Sequence, residues 1–359
     1  ELAAPPTVAP SRRRLGRIVA GVETCLIIGG AVFLASQSHQ VSGDGSVRLE
    51  ALTQLLDQHQ LSTTPYSLIG PLFAAPLWYY GRRWGAETDA ASLYNTVLYL
   101  AGVIAIGLLL VDRIDRGLLR RFLLLLLAGT MVAANLKDFY GEAFTTTTVG
   151  VGLLAAVIPG TSRVTKVAGW IAVILGVANT PATLVGLGLV VVVLAYQRRR
   201  LRYLGVVVAA AALILGESWL RYGDPLHSEY LNNGGLGTIM PYSKLPGFSY
   251  PFVLGVLAVL FAFGRGLLWY TPGLFLPVRR RLRELGEPSG VDLWSVWLLW
   301  TTFVVGLVLV YARWWSWHGG FSWGPRFFCL AILPASLALA IRLDCPSSGL
   351  WSNLATLGA

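Results

Sequence analysis

The sequence predicts an all-α polytopic membrane protein, a bundle of about ten to eleven transmembrane helices. Three observations carry this. Of 359 residues, 55% are hydrophobic and 13% charged, where soluble domains carry about 25% charged residues. The apolar residues gather into blocks, many of near-spanning length. Arginines stand at the block ends and bring the net charge to +10, which is the positive-inside pattern. A duplex-binding surface would need a polar, soluble face, so the expected partners are membrane lipids and not nucleic acid. The three cysteines, Cys25, Cys329 and Cys345, have no metal-like or disulfide-framework spacing.

In chain order, residues 1–16 are expected to form a disordered cytoplasmic N-terminus. They lack the order of a cleaved signal peptide, and the stretch after Arg17 reads as a full span over 18–36. Within the polar stretch 37–65, Val47, Leu49, Leu52, Leu55 and Leu56 recur at helical spacing. Residues 46–58 therefore read as an amphipathic helix on the membrane, in the first external loop. The run 66–80 is short and holds Gly70, Pro71 and Pro76, so it is either re-entrant or a broken span. Blocks follow at 91–111, 122–136, 144–158 and 167–196. The last is too long for one crossing and breaks at Asn179-Thr180-Pro181, because proline removes a helix donor. Two crossings meeting there satisfy the charge rule, with Arg198, Arg199, Arg200 and Arg202 as a cytoplasmic mark. The remaining spans fall at 203–220, 251–278, 293–311 and 327–341, with external loops at 221–250 and 313–326. Residues 17–342 thus form one transmembrane domain and 343–359 a short tail.

Four places hold residues suited to chemistry. Gly43-Asp44-Gly45 turns the chain tightly and uncovers a carboxylate. Asp138 and Glu142 lie between two apolar blocks. Arg265, between Gly264 and Gly266, falls midway through an apolar run, where a cation is costly unless paired or facing a watery cavity. Its planar fork suits a phosphate. The segment 311–326 holds Trp314, Trp315, Trp317, His318, Trp323 and Arg326. Beyond an interfacial tryptophan belt, such flat aromatic faces with interleaved polar groups suit a sugar.

Several short blocks then resemble bacterial glycosyltransferases of the GT-C superfamily, the polyprenyl-phosphate-sugar type related to protein mannosyltransferases and aminoarabinose transferases. They are Gly43-Asp44 with 66–76, Tyr140-Gly141-Glu142, 221–225, 264–272 and 319–326. The resemblance runs through most of the chain. It implies a GT-C-like catalytic domain that moves a sugar from a polyprenyl-phosphate donor to a glycan, lipid or protein acceptor outside the membrane. This sequence departs from the family at Asn179-Thr180, where members commonly carry a basic residue. Under the resemblance Asp44 is the general base, with Glu142 or Asp138 orienting the acceptor. Asp44 and Glu142 would be the ligands of a divalent cation, Mg or Mn, if one is used. Arg265, Arg326 and Asn179 are the donor-phosphate candidates, and Trp317, His318, Trp323 and Tyr270 the sugar-binding ones. The rival reading is a transporter or flippase of lipid-linked sugars. That class shows pseudo-symmetric halves with broken helices in matching places, and the breaks at 179–181 and 264–266 do not lie in repeated contexts.

Overall fold

The computed structural model describes residues 10–227, 238–289, 291–320 and 322–344, and every regular element among them is helical. Helix α1 (Pro10–Ser36) takes in residues 10–16 of the expected disordered N-terminus; residues 1–9 lie outside the described residues. Gly43, at a φ of 48° that favours glycine, turns the chain into α2 (Asp44–Gln58). The run 66–80 folds as α3 (Ile69–Leu72) and α4 (Ala75–Arg82), neither long enough to cross. Short α5 (Glu87–Ser92) leads into α6 (Tyr94–Leu110). Asp115 caps α7 (Arg116–Ala128) by accepting from the Gly117 and Leu118 amides. A turn then separates it from α8 (Val132–Leu136), so the block expected at 122–136 is divided.

Helices α9 (Gly141–Val157) and α10 (Arg163–Asn179) form an antiparallel pair. The long block does break after Asn179, and α11 (Leu184–Arg198) starts beyond a short 3-10 turn. Then comes α12 (Leu204–Tyr222). The single span expected at 251–278 is instead α13 (Phe252–Phe261), a turn, α14 (Leu267–Tyr270) and a 3-10 turn. The chain closes with α15 (Arg279–Ser289), α16 (Leu293–Tyr311) and α17 (Ile332–Leu343). Of the expected tail, 345–359 with Cys345 lie outside the described residues. Among the described residues six stretches are long and apolar enough to cross a membrane: Gly16–Ser36, Glu87–Leu110, Pro181–Arg198, Leu201–Tyr222, Leu293–Tyr311 and Arg326–Leu343. The chain is an integral membrane protein. Helices α9 and α13 are shorter apolar helices.

Lipid supplies no hydrophobic drive between helices, so close packing must hold them together. Glycines allow it here. A Cβ on Gly152 or Gly169 would strike the other's backbone oxygen across the α9–α10 contact, and Gly306 of α16 sits over Gly186 of α11. Helix α17 is buried along nearly its whole length, whereas α1 and α12 expose apolar side chains such as Ile28, Val32, Val208 and Leu215.

The bundle has two unlike ends. At one, Arg120 and Arg121 pair with Glu23 at 2.8 and 3.2 Å, Arg121 also meets Asp344, and Arg198 donates to the Val157 carbonyl. At the other lie the start of α2, the start of α9, the break after α10 and residues 311–320 and 322–326.

Candidate functional site

Asp44 opens α2, and Glu142 lies in the first turn of α9. Carboxylates are favoured there by the helix dipole. Arg326 joins them. Its Nη2 donates to Asp44 Oδ2, and its Nε lies 3.5 Å from Glu142 Oε1. The guanidinium also stacks over the Tyr140 ring, 4.5 Å from its centroid. The Arg326 and Glu142 side chains are 10% and 14% exposed, Asp44 33%. Asp44 is therefore the carboxylate of the trio most open to an incoming group. Burial, and then the Asp138 charge, push the Tyr140 hydroxyl above its ordinary range, so it stays a neutral donor.

Asp138 is placed beside this trio but is fully occupied. Its carboxylate accepts from the Ser42 and Phe139 amides, at 3.0 and 2.8 Å, and from the Ser42 hydroxyl. It pins the loop before α2 onto the start of α9. Asn95 adds to this by donating to the Asp138 and Tyr140 carbonyls. Asn179, expected at the donor phosphate, is likewise spent inside the protein. It donates to the Gly141 carbonyl and the Thr145 hydroxyl and accepts from the Gly70 amide, tying α3, α9 and α10 together.

Arg265 has partners other than the expected phosphate. It lies in the turn after α13, not within a helix, and its Nη atoms donate to the Gly320, Ser322 and Gly324 carbonyls. The arginine gathers Gly320, Ser322 and Gly324 around itself, and through them positions Arg326. Gly324, at a φ of 77°, permits the sharp return.

The aromatic candidates sit around this turn. Tyr270 donates to the Gly264 carbonyl and meets Trp323 edge-on at 5.0 Å; Trp323 is largely exposed. His318 Nδ1 accepts from the Gly320 amide at 3.1 Å. Burial holds its pKa below the ordinary histidine range. The ring is therefore neutral near pH 7 with the proton on Nε2, and that buried Nε2 has no partner among the described residues. The indole N–H groups of Trp315 and Trp317 are also buried without partners among the described residues. Unpaired buried donors are costly, and three around one turn are ready to meet hydroxyl oxygens.

The sequence reading missed Arg48. It lies one helical turn beyond Asp44, on the face of α2 that also buries Gly45, Leu49, Ala51 and Leu52. The expected membrane-facing stripe is thus turned at least in part onto protein. Arg48 is 7% exposed, stacks on Tyr66 at 4.6 Å, and leaves Nε and Nη1 buried without partners among the described residues. Its guanidinium presses on Gly141, where a Cβ would collide with it. The one sequence signal was an arginine on an otherwise apolar helical face.

A divalent cation between Asp44 and Glu142 does not fit this donor set. The Arg326 guanidinium already fills that seat. Among the described residues no group of three or more His, Cys, Asp or Glu could hold a metal.

No protein-family profile matches the sequence, and no curated protein matches it. The fold is similar to the crystal structure of ArnT from Cupriavidus metallidurans in the apo state, with a TM-score of 0.52 and 16% identity. The match covers 93% of this chain and 61% of that one, so the chain spans about three fifths of ArnT's length. The architecture is ArnT-like.

Proposed function

We propose that this chain is a GT-C-type glycosyltransferase, moving a sugar from a polyprenyl-phosphate-linked donor to an acceptor hydroxyl at the outer membrane face. The observation that carries the reading is the Asp44–Arg326–Glu142 cluster, set among unpartnered Trp and His donors at one end of an ArnT-like bundle. The arginine-rich opposite end is cytoplasmic by the charge rule.

The acceptor oxygen attacks the anomeric carbon, the bond from that carbon to the phosphate oxygen breaks, and the electron pair leaves on the lipid phosphate. The acceptor proton goes to Asp44. In the resting site Arg326 donates to Asp44. A donor phosphate competes for the same guanidinium, which frees Asp44 to act as base while Glu142 keeps Arg326 in place. Arg48, a buried cation with no carboxylate partner among the described residues, adds positive charge beneath the start of α9. Arg265 acts through the loop it shapes.

The test is to mix purified protein with a synthetic polyprenyl-phosphate sugar and hydroxyl acceptors, and to follow both products. Equal release of polyprenyl phosphate and glycosylated acceptor is expected. Movement of intact donor between leaflets without either product would favour the transporter instead.

A further inference from the structure

The other end of the bundle holds a cleft of about 730 Å³ between the end of α9, the end of α11 and the start of α16. It lies at the far end of α9 from Glu142, about 24 Å along that helix. Its volume is within the range of small-molecule sites. Arg198, Gln197, Arg283, Trp294, Asp292 and Ser295 contribute to its lining.

The charge there is unbalanced. Neither Arg198 nor Arg283 has a carboxylate partner among the described residues. Arg198 uses its two Nη atoms on the Val157 carbonyl, at 3.1 Å, and the Tyr203 hydroxyl, at 3.4 Å. That leaves part of its five-donor fork free. The acid in the wall, Asp292, is turned to its own helix, capping α16 through the Ser295 amide and hydroxyl. Glu284 faces Arg280 and Arg281. Trp294 is flanked by Arg279 and Arg283, at 5.4 and 5.8 Å from its ring, and stacks on Trp297 at 5.3 Å. An aromatic wall beside guanidinium groups with no carboxylate partner among the described residues, at the end of apolar helices, matches the junction of a lipid's headgroup and its chains.

We propose that this cleft binds the phosphate headgroup of an anionic phospholipid, held between Arg198 and Arg283 with the upper chain region against Trp294. The site is separate from the proposed sugar-transfer centre and stands whether or not that reading does. Its occupant is a lipid and not a free phosphate, because the cleft opens among helices whose outer faces are apolar.

The experiment places the full chain in nanodiscs of phosphatidylcholine doped with spin-labelled phosphatidylglycerol and measures the protein-bound fraction. Each arginine near a charged lipid surface is worth roughly fivefold. Arg198→Gln with Arg283→Gln should therefore weaken phosphatidylglycerol binding about 30-fold and leave phosphatidylcholine unchanged. Arg163→Gln with Arg200→Gln removes the same charge outside the cleft and should cost much less. Equal losses from the two pairs would overturn the proposal, since binding would then belong to the whole basic end. Displacement of the labelled lipid by millimolar inorganic phosphate in the unmodified protein would also overturn it. Near-ultraviolet circular dichroism of each pair checks that the fold is kept; should the cleft pair misfold, Trp294→Ala gives the same reading through the aromatic wall.

Discussion

The arginines at the two ends of this bundle live under different rules. At the site end they are sheltered and committed: Arg326 to two carboxylates, Arg265 to three carbonyls, and Arg221 to Glu217 and the Ser62, Thr64 and Tyr66 carbonyls. At the basic end Arg120 and Arg121 are likewise committed, to Glu23 and Asp344, but Arg163 and Arg200 are exposed and Arg280 pairs only through a surface contact with Glu284. Removing a guanidinium from water is costly unless its donors are met. A sheltered arginine therefore shapes the structure around it, while an exposed one sets topology and attracts anions. Arg48 breaks the rule, being buried with two nitrogens that have no partner among the described residues.

This contrast gives graded expectations. The largest effect belongs to Arg326→Gln. It strands Asp44 and Glu142 beside each other, and breaking a buried pair costs about 3–5 kcal/mol. Thermal unfolding in detergent should show that loss together with abolished transfer, and near-normal stability would mean the trio is solvated.

Arg265→Gln should cost less, about 2–3 kcal/mol, through the carbonyls it leaves unpaired. Arg265→Lys should recover only part, because one ammonium cannot span three carbonyls. Transfer should fall in both, and donor binding should fall in step with loop order, read by Trp323 fluorescence. A loss of donor affinity in Arg265→Lys with an undisturbed loop would return the arginine to the phosphate itself.

His318 gives a smaller, pH-dependent effect. Its folded pKa lies below the ordinary range, so the unfolded chain takes up the proton first. Stability from this group is complete above the ordinary histidine range and is lost as pH falls through it. His318→Gln should flatten the unfolding temperature between about pH 7 and 5.5. An unchanged slope would show that the ring titrates like a free histidine.

At the basic end, Glu284→Gln should change neither stability nor transfer measurably, as exposed pairs contribute little. Accessibility labelling sharpens the same contrast. In a chain with Cys25, Cys329 and Cys345 replaced by alanine, Thr63→Cys and Asp224→Cys should label from one side and Arg200→Cys from the other.

Much of this was legible in the sequence because lipid imposes simple rules. The apolar blocks and the proline-marked break after Asn179 follow from local composition, and Asp44 and Glu142 stood out as acids beside glycines at block edges. The illegible parts are those that depend on which surface covers a helix face. The stripe on α2 reads the same whether lipid or protein meets it, so the arginine on that face, Arg48, did not stand out as buried. Arg265 looked buried mid-span because 251–278 is continuously apolar. The chain turns at Ala262–Gly266, where Gly266 donates to the Ala262 carbonyl and has no room for a side chain. Asn179 looked free because its partners, Gly70 and Thr145, are remote in sequence.

The central claim rests on Asp44, and one measurement reaches it most directly: sugar transfer from a synthetic polyprenyl-phosphate donor by Asp44→Asn, with donor binding measured on the same preparation. The asparagine keeps shape and polarity but accepts no proton. Loss of a general base costs on the order of 10²–10⁴ in rate, so transfer should fall by that much while donor affinity stays or rises as Arg326 is freed. Glu142→Gln, run alongside, should lose less. Near-normal turnover by Asp44→Asn would contradict the account and pass the base to Glu142.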